Sequence, residues 1–375
     1  MTAAEETGVV AGGSGSLDAE AVTQALVDRL FESTIGALEL LSVYLGWRLG
    51  LYEILAQSGP TGVEEFAAQA GIDSRYAQEW LEQQAVAGIL DVASGAEAPR
   101  DRRFVLPAAH AEVLAVPDSL NHVAPFAPMI VGIAGALPEV VDAYRSGGGV
   151  PYERYGPDFR AGQGAINRPA FVHELRDWLA ATGEVHDRLS GDPPARVADV
   201  GCGQGYSSVA VARAYPKVFV DGIDLDEASI ADAKQVAADA DVSDRVVFSI
   251  QDATGLSQMG PYDLVWIFEA LHDMARPVEA LRQARQALKP EGSVIVADER
   301  VAETFTAPGD ATERMMYGWS VVHCLPASRT EEPSAGLGTV LRASTMASLA
   351  DEAGFSNLEV LPIENDFFRF YRLIP

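Results

Sequence analysis

Apolar and polar positions divide this chain into regions of different period. Between residues 17 and 56, Leu26, Leu30, Ile35, Leu38, Leu41, Tyr44 and Leu45 recur at helical spacing. Helices this apolar are expected to be buried, in a core or between subunits. A short helix over 63–70 meets a turn at Gly71-Ile72-Asp73-Ser74, and a longer helix is expected over 75–87 with Ser74 as its N-cap. The strand-like runs GILDVA and RRFVLP flank the loop SGAEAPRD, which completes a helix-turn-helix-wing order. Residues 107–190 are helical in pattern with Pro and Gly interruptions. Within them, 147–169 (GGGVPYERYGPDFRAGQGAINRP) reads as a loop-rich connector ahead of the amphipathic helix AFVHELRDWLAA.

From Ala195 onward the period switches. The β-branched runs ARVADV, KVFVDGI, RVVFSI, YDLVWIFE and SVIVADE alternate with helical segments at 206–214, 227–239 and 278–288. Such alternation predicts an α/β domain whose parallel sheet is covered on both faces. The last stretch, LEVLPIENDFFRFYRLI, reads as two strands joined around Asn365-Asp366, a terminal antiparallel hairpin. In it, Phe367, Arg369 and Tyr371 share one strand face opposite Phe368, Phe370 and Arg372, a pattern of sheet packing.

Charge narrows the function. The 375 residues carry 54 acidic and 27 basic side chains, a net charge of −27, whereas nucleic-acid binders draw most of their affinity from Lys and Arg. The second helix of the helix-turn-helix carries Glu79 and Glu82 against Arg75, so a structural or dimerising role is expected for it rather than DNA binding. Two cysteines, Cys202 and Cys324, build neither a disulfide scaffold nor a cysteine-based zinc site. Residues 1–16 read as a disordered leader without a signal pattern, and no run of about 18 consecutive apolar residues calls for a membrane. A cytoplasmic protein is expected.

The chemistry gathers around VADVGCGQGYSS. Gly201, Gly203 and Gly205 follow a strand, as in phosphate-binding loops, but Tyr206 stands where the dinucleotide fingerprint needs its third glycine. Asp199 precedes the loop, and a carboxylate there repels pyrophosphate and favours a cationic ligand. Asp224 ends the next strand, 19 positions beyond Gly205, at the usual distance for a ribose-binding acid. Asp252 ends the third strand, where an acid can accept from an adenine amine while Ala253 offers its amide.

These motifs, VADVGCGQG, VDGIDLD, IQDA and YDLVWIFEALHD, resemble those of class I S-adenosylmethionine-dependent methyltransferases from Ala195 to the C-terminus. The helical, winged-helix-like front half is similar to that of small-molecule O-methyltransferases. More narrowly, FEALHDMARP, SVVHCLP and PSAGLGTVLR resemble an actinobacterial group of two-domain methyltransferases. The resemblance implies a Rossmann-like seven-stranded sheet with an antiparallel terminal hairpin over 166–375, behind a winged-helix dimerisation and lid domain over 17–165. It implies S-adenosylmethionine as cofactor, a small-molecule acceptor and a homodimer. Gly201, Gly203 and Gly205 would approach the methionine part, and Asp199 would face its amino group through backbone or water. Asp224 and Leu225 would take the ribose, Asp252 and Ala253 the adenine. Phe268 and Glu269 would line the crevice, closed by Tyr155 and Gly156.

His272, in a His-Asp dipeptide after the fourth strand, matches the catalytic base of plant-type O-methyltransferases, although Met274 replaces the usual tryptophan. An imidazole titrates near neutrality and suits that task. Glu299 and Glu303 are candidates for the acid that orients it, and His323, with Glu299, for substrate contact. No metal site is expected, because the histidines show no tight ligand spacing. A cofactor-binding regulator without turnover, or N- or C-methyl transfer by proximity, are the alternatives.

Overall fold

The computed structural model describes residues 19–94, 98 and 101–375; the expected leader at 1–16 and most of the wing tip lie outside the described residues. The front half opens with a long helix α1 (Ala19–Arg48), then α2 (Leu51–Gln57), α3 (Val63–Ala70), α4 (Ser74–Val86) and the antiparallel pair β1 (Asp91–Ser94) and β2 (Arg103–Val105). This is the winged-helix order read from the sequence. The cap of α4 differs: Asp73 is the N-cap, its carboxylate accepting from the amides of Arg75 and Tyr76, while Ser74 turns outward to Glu64. Leu51, Tyr52, Phe66, Leu81 and Phe104 close this domain's core. Most of α1 stays outside it. Leu26, Leu30 and Leu38 are 56–60% exposed in the single chain.

Helices α5 (Ala108–Ala115) and α6 (Phe126–Ser146) lead to α7 (Gly156–His173), α8 (Leu175–Ala180) and α9 (Glu184–Ser190). The connector expected as loop over 147–169 is therefore corrected: from Gly156 it is helix, running through Gly162, Gly164 and Pro169. Its glycines serve tertiary contact instead of a turn. A Cβ on Gly162 would stand 2.7 Å from the Pro125 carbonyl oxygen, and one on Gly132 of α6 would stand 2.6 Å from the Tyr155 carbonyl oxygen. Each helix offers the other a bare backbone, so they touch along that line. Among the described residues α6 is also the one helix long and apolar enough to cross a membrane, but Met129, Ile133, Ala136 and Val140 bury one side of it inside the molecule.

The second half follows as β3 (Arg196–Val200), α10 (Tyr206–Ala214), β4 (Phe219–Asp224), α11 (Glu227–Asp239), β5 (Val246–Ile250), β6 (Tyr262–Phe268), α12 (Pro277–Gln286) and β7 (Leu288–Glu299). Then come α13 (Ala311–Trp319), a π-helical turn at Ser320–Cys324, α14 (Leu325–Ser328), α15 (Ala343–Glu352), β8 (Asn357–Val360) and β9 (Phe368–Ile374). The strands form one seven-stranded sheet, in the order β5-β4-β3-β6-β7-β9-β8. The first five are parallel, and the closing hairpin pairs antiparallel with β7. Strand order reverses beside β3, so the ligand crevice of such a sheet is expected at the loop that follows it. Apolar layers cover both faces: Val197, Leu264 and Trp266 pack toward α8–α10, and Val200, Val265 and Ile267 toward α12 and α15.

Candidate active site

A cavity of about 1500 Å³ opens at the carboxyl ends of β3–β7, roofed by α7, the end of α6 nearest Phe126, and the segment around α13. At its cofactor end the glycine loop carries left-handed φ values of 73°, 50° and 77° at Gly201, Gly203 and Gly205, which only glycine adopts without strain. Gly201 and Gly203 line the cavity; Gly205 instead sits against Phe248 and Ala233 at the start of α10. Asp224 receives the amides of Gly203 and Asp226 at 2.9 Å each, so the loop and the acid fix one another. Leu225, Asp252 and Ala253 lie beyond it on the same wall. Asp252 accepts from the Thr254 amide at 2.7 Å and pairs with Arg276.

The Asp199 carboxylate does not reach the crevice itself, which leaves it only the indirect route through backbone or water. It points into the fold and accepts from the hydroxyls of Ser207 and Ser208 at 2.5 and 2.6 Å. Burial pushes its pKa up to about 6 against the pull of these two hydrogen bonds. It fixes the first turn of α10 under the loop. Tyr155 is corrected. It is buried behind the wall with its hydroxyl donating to the Val322 carbonyl, Gly156 does not line the cavity either, and Tyr152 takes the lining place.

Phe268 and Glu269 end β6 where the two halves of the cavity meet. Glu269 holds a φ of +50°, a costly conformation for a side chain with a Cβ. Asn167 and Gln163 of α7 hold its carboxylate at 2.5 and 3.3 Å, tying the roof to the sheet. Burial raises its pKa to about 7. Neither amide was legible as a site residue, because the connector did not read as helix.

His272 is buried on the cavity wall. Its Nδ1 lies 3.0 and 3.1 Å from the two oxygens of Asp298 and 3.3 Å from Glu299 Oε2; Nε2 lies 3.4 Å from Asp273. Asp298 is thus the principal orienting acid, beside the expected Glu299. Glu303 lies elsewhere, paired with Arg369 and 65% exposed. The pairing of Phe268 with Ala297 brings the two acids beside the histidine, and the doublet at the end of SVIVADE was the available signal. Burial pulls the imidazole's pKa down, but the charges of Asp298, Glu299 and Asp273 together outweigh it and hold it well above the usual value.

His323 comes from the π-helical turn and lines the same end, against Phe159 at a ring separation of 4.2 Å. Its Nδ1 contacts Cys324 Sγ at 3.3 Å, and burial drives its pKa down to about 3, so it is neutral. Two groups of side chains place possible metal-ligand atoms together: His272 with Asp273 and Cys324, and His272 with Asp298 and Glu299. Phe126, Met129, Met316 and Trp319 add apolar surface to the walls.

Residues 192–335 match the model of a methyltransferase domain, and residues 36–116 that of an Rv2258c-like winged HTH domain. A 27-O-demethylrifamycin SV methyltransferase of Amycolatopsis mediterranei is 38% identical over 123 residues, 32% of this chain and 45% of that protein. A methyltransferase GfsG of Streptomyces halstedii is 28% identical over 128 residues and 46% of its length. The chain thus spans less than half the length of these relatives. Over nearly the whole chain the fold matches solved structures. The mitomycin 7-O-methyltransferase MmcR superposes with a TM-score of 0.69 at 20% identity, over 95% of this chain and 99% of that one. Human N-acetylserotonin methyltransferase in complex with SAM gives 0.68 at 16% identity, over 96% and 99%.

Proposed function

From a chain that joins an Rv2258c-like winged HTH domain to a methyltransferase domain, we propose S-adenosylmethionine-dependent methyl transfer to a small-molecule acceptor, with an oxygen nucleophile and His272 as its proton acceptor. One observation carries the reading. The carboxylate-anchored imidazole lines the same cavity as the glycine loop and the strand-end acids.

The cofactor end fits a cationic adenosyl ligand better than a dinucleotide. Its loop is bordered by the carboxylates of Asp224, Asp226 and Asp252, which oppose a pyrophosphate. A Cβ on Gly201 would stand 2.5 Å from that of Ala270, so the loop packs tightly on the sheet's edge. Gly201 and Gly203 would border the methionine part; Asp224, with Leu225, would hold the ribose, and Asp252, with Ala253, the adenine. When bound, S-adenosylmethionine supplies an electrophilic methyl group on a sulfonium. The chain then has to align an acceptor oxygen, exclude water and take up one proton. Apolar walls at Phe126, Met129, Met316 and Trp319 support the exclusion. His272 takes the proton in its neutral form, beside the Glu299 carboxyl that burial holds well above its usual range. His323 and Glu299 border the acceptor.

The exposed apolar face of α1 supports a homodimer, since covering Leu26, Leu30 and Leu38 removes large apolar area from water. The net charge of −27 supports a small-molecule acceptor over a nucleic acid, and a cytoplasmic setting suits this composition.

The test is calorimetric titration with S-adenosylmethionine and with NAD, then S-adenosylhomocysteine release with phenolic and amine acceptors. His272→Asn is expected to bind cofactor like the wild type and to transfer methyl about 100-fold more slowly or worse. Unchanged turnover in that variant overturns the base assignment. Tight NAD binding without a response to the sulfonium overturns the cofactor, and cofactor binding with no turnover on any acceptor favours a regulator.

A further inference from the structure

Three carboxylates converge on one imidazole at the acceptor end of the cavity. Asp273, Asp298 and Glu299 each lie within ion-pair distance of His272, and among the described residues no Lys or Arg reaches any of the three. Carboxylates crowded around a single imidazole take up protons or bind a cation.

The geometry on the Nε2 side of the ring selects between these. A ring nitrogen of His272, a carboxylate oxygen of Asp273 and the sulfur of Cys324 all lie within 4.8 Å of one another. Nε2 and Asp273 Oδ1 are 3.4 Å apart. Tetrahedral zinc at its usual bond lengths separates neighbouring donor atoms by about 3.3–3.7 Å. Asp273 Oδ1 is shielded from solvent and makes no hydrogen bond of good geometry, so its neighbours there are the Nε2 and Sγ that face it. Behind the ring, Asp298 holds Nδ1 at 3.0 Å, the carboxylate support that orients ligating imidazoles. His323, at 3.3 Å from Cys324 Sγ, flanks the sulfur.

We propose that His272 Nε2, Asp273 Oδ1 and Cys324 Sγ form a site for a thiophilic divalent cation of the Zn²⁺ class. Nitrogen, sulfur and one carboxylate oxygen suit zinc or cobalt and disfavour magnesium, which takes oxygen ligands. Binding displaces the thiol proton of Cys324, as for any cysteine ligand. All three residues line the cavity, so the site is open to exchange. A cation on Nε2 and proton uptake at the same lone pair exclude each other. Zinc loading is therefore expected to hold methyl transfer off, and a chelator to restore it.

The site is tested without cofactor or acceptor, so its failure and the failure of the methyl-transfer reading are separate results. Chelator-stripped full-length protein is titrated with Co²⁺ alone. The expected result is saturable binding with a near-ultraviolet thiolate-to-cobalt absorption band, reversed by Zn²⁺ and unaffected by excess Mg²⁺. Cys324→Ser should abolish the band. Asp273→Asn, which keeps the thiol, should retain it at about tenfold or more higher cobalt concentration. Absence of the band in folded wild-type protein, its survival in Cys324→Ser, or displacement by Mg²⁺ as readily as by Zn²⁺ overturns the proposal.

Discussion

The contact between α6 and α7 allows a quantitative test of how the cavity roof is held. A methyl group added at Gly162 would meet Met129 Cγ at 2.6 Å, the Pro125 carbonyl oxygen at 2.7 Å and the Met129 amide nitrogen at 3.1 Å. At Gly132 it would meet Phe159 Cβ and the Tyr155 carbonyl oxygen, both at 2.6 Å. Several of these neighbours are backbone atoms that no rotamer change moves, so the helices must part by nearly an ångström. Overpacking of this kind costs about 1–3 kcal/mol, and replacing a helical glycine by alanine returns about 1 kcal/mol. Gly132→Ala and Gly162→Ala are each expected to lose about 0–2 kcal/mol net in urea unfolding, against the gain expected at an unhindered helical glycine. Gly135→Ala on the same helix is the control: nothing lies within 4 Å of its added methyl, and about 1 kcal/mol should be gained. The double variant Gly132→Ala/Gly162→Ala should cost less than the sum, because the first substitution already parts the helices. Cofactor affinity should fall with stability, since α7 carries Asn167 and Gln163 to Glu269. If either variant at the crossing proves as stable as Gly135→Ala, the helices do not depend on bare backbone contact and the argument fails.

Two further outcomes follow from single contacts and from one surface. Asp73→Ala should cost about 1 kcal/mol in thermal or urea unfolding by leaving two amides of α4 uncapped, and Ser74→Ala should cost almost nothing; the opposite ranking would restore serine as the cap. Leu30→Glu combined with Leu38→Glu should convert a dimer to a folded monomer by light scattering, and a wild-type protein already monomeric at micromolar concentration would dismiss α1 as an interface.

Local signals in the sequence were enough for much of the sheet domain. The helices at Tyr206–Ala214 and Glu227–Asp239 and the five parallel strands follow from periodicity and from glycine punctuation, both of which act over a few residues. The same holds for the winged-helix order and for the terminal hairpin. The connector failed because Gly162, Gly164 and Pro169 lower helix propensity locally, while packing against α6 and the Gln204–Tyr206 segment rewards a bare backbone there.

By itself the sequence placed the candidate residues at strand ends: the glycines after β3, Asp224 ending β4, Asp252 just beyond β5, and His272 after β6. Which of these side chains meet was decided only in three dimensions. Asp298 stands 26 residues from His272 and becomes its partner through the parallel register of β6 and β7. Asp199, adjacent to the loop in sequence, is held inward by two serines in the first turn of α10. Charge type is written residue by residue, but its partner and its exposure to water depend on the strand register and on the helices that close over it.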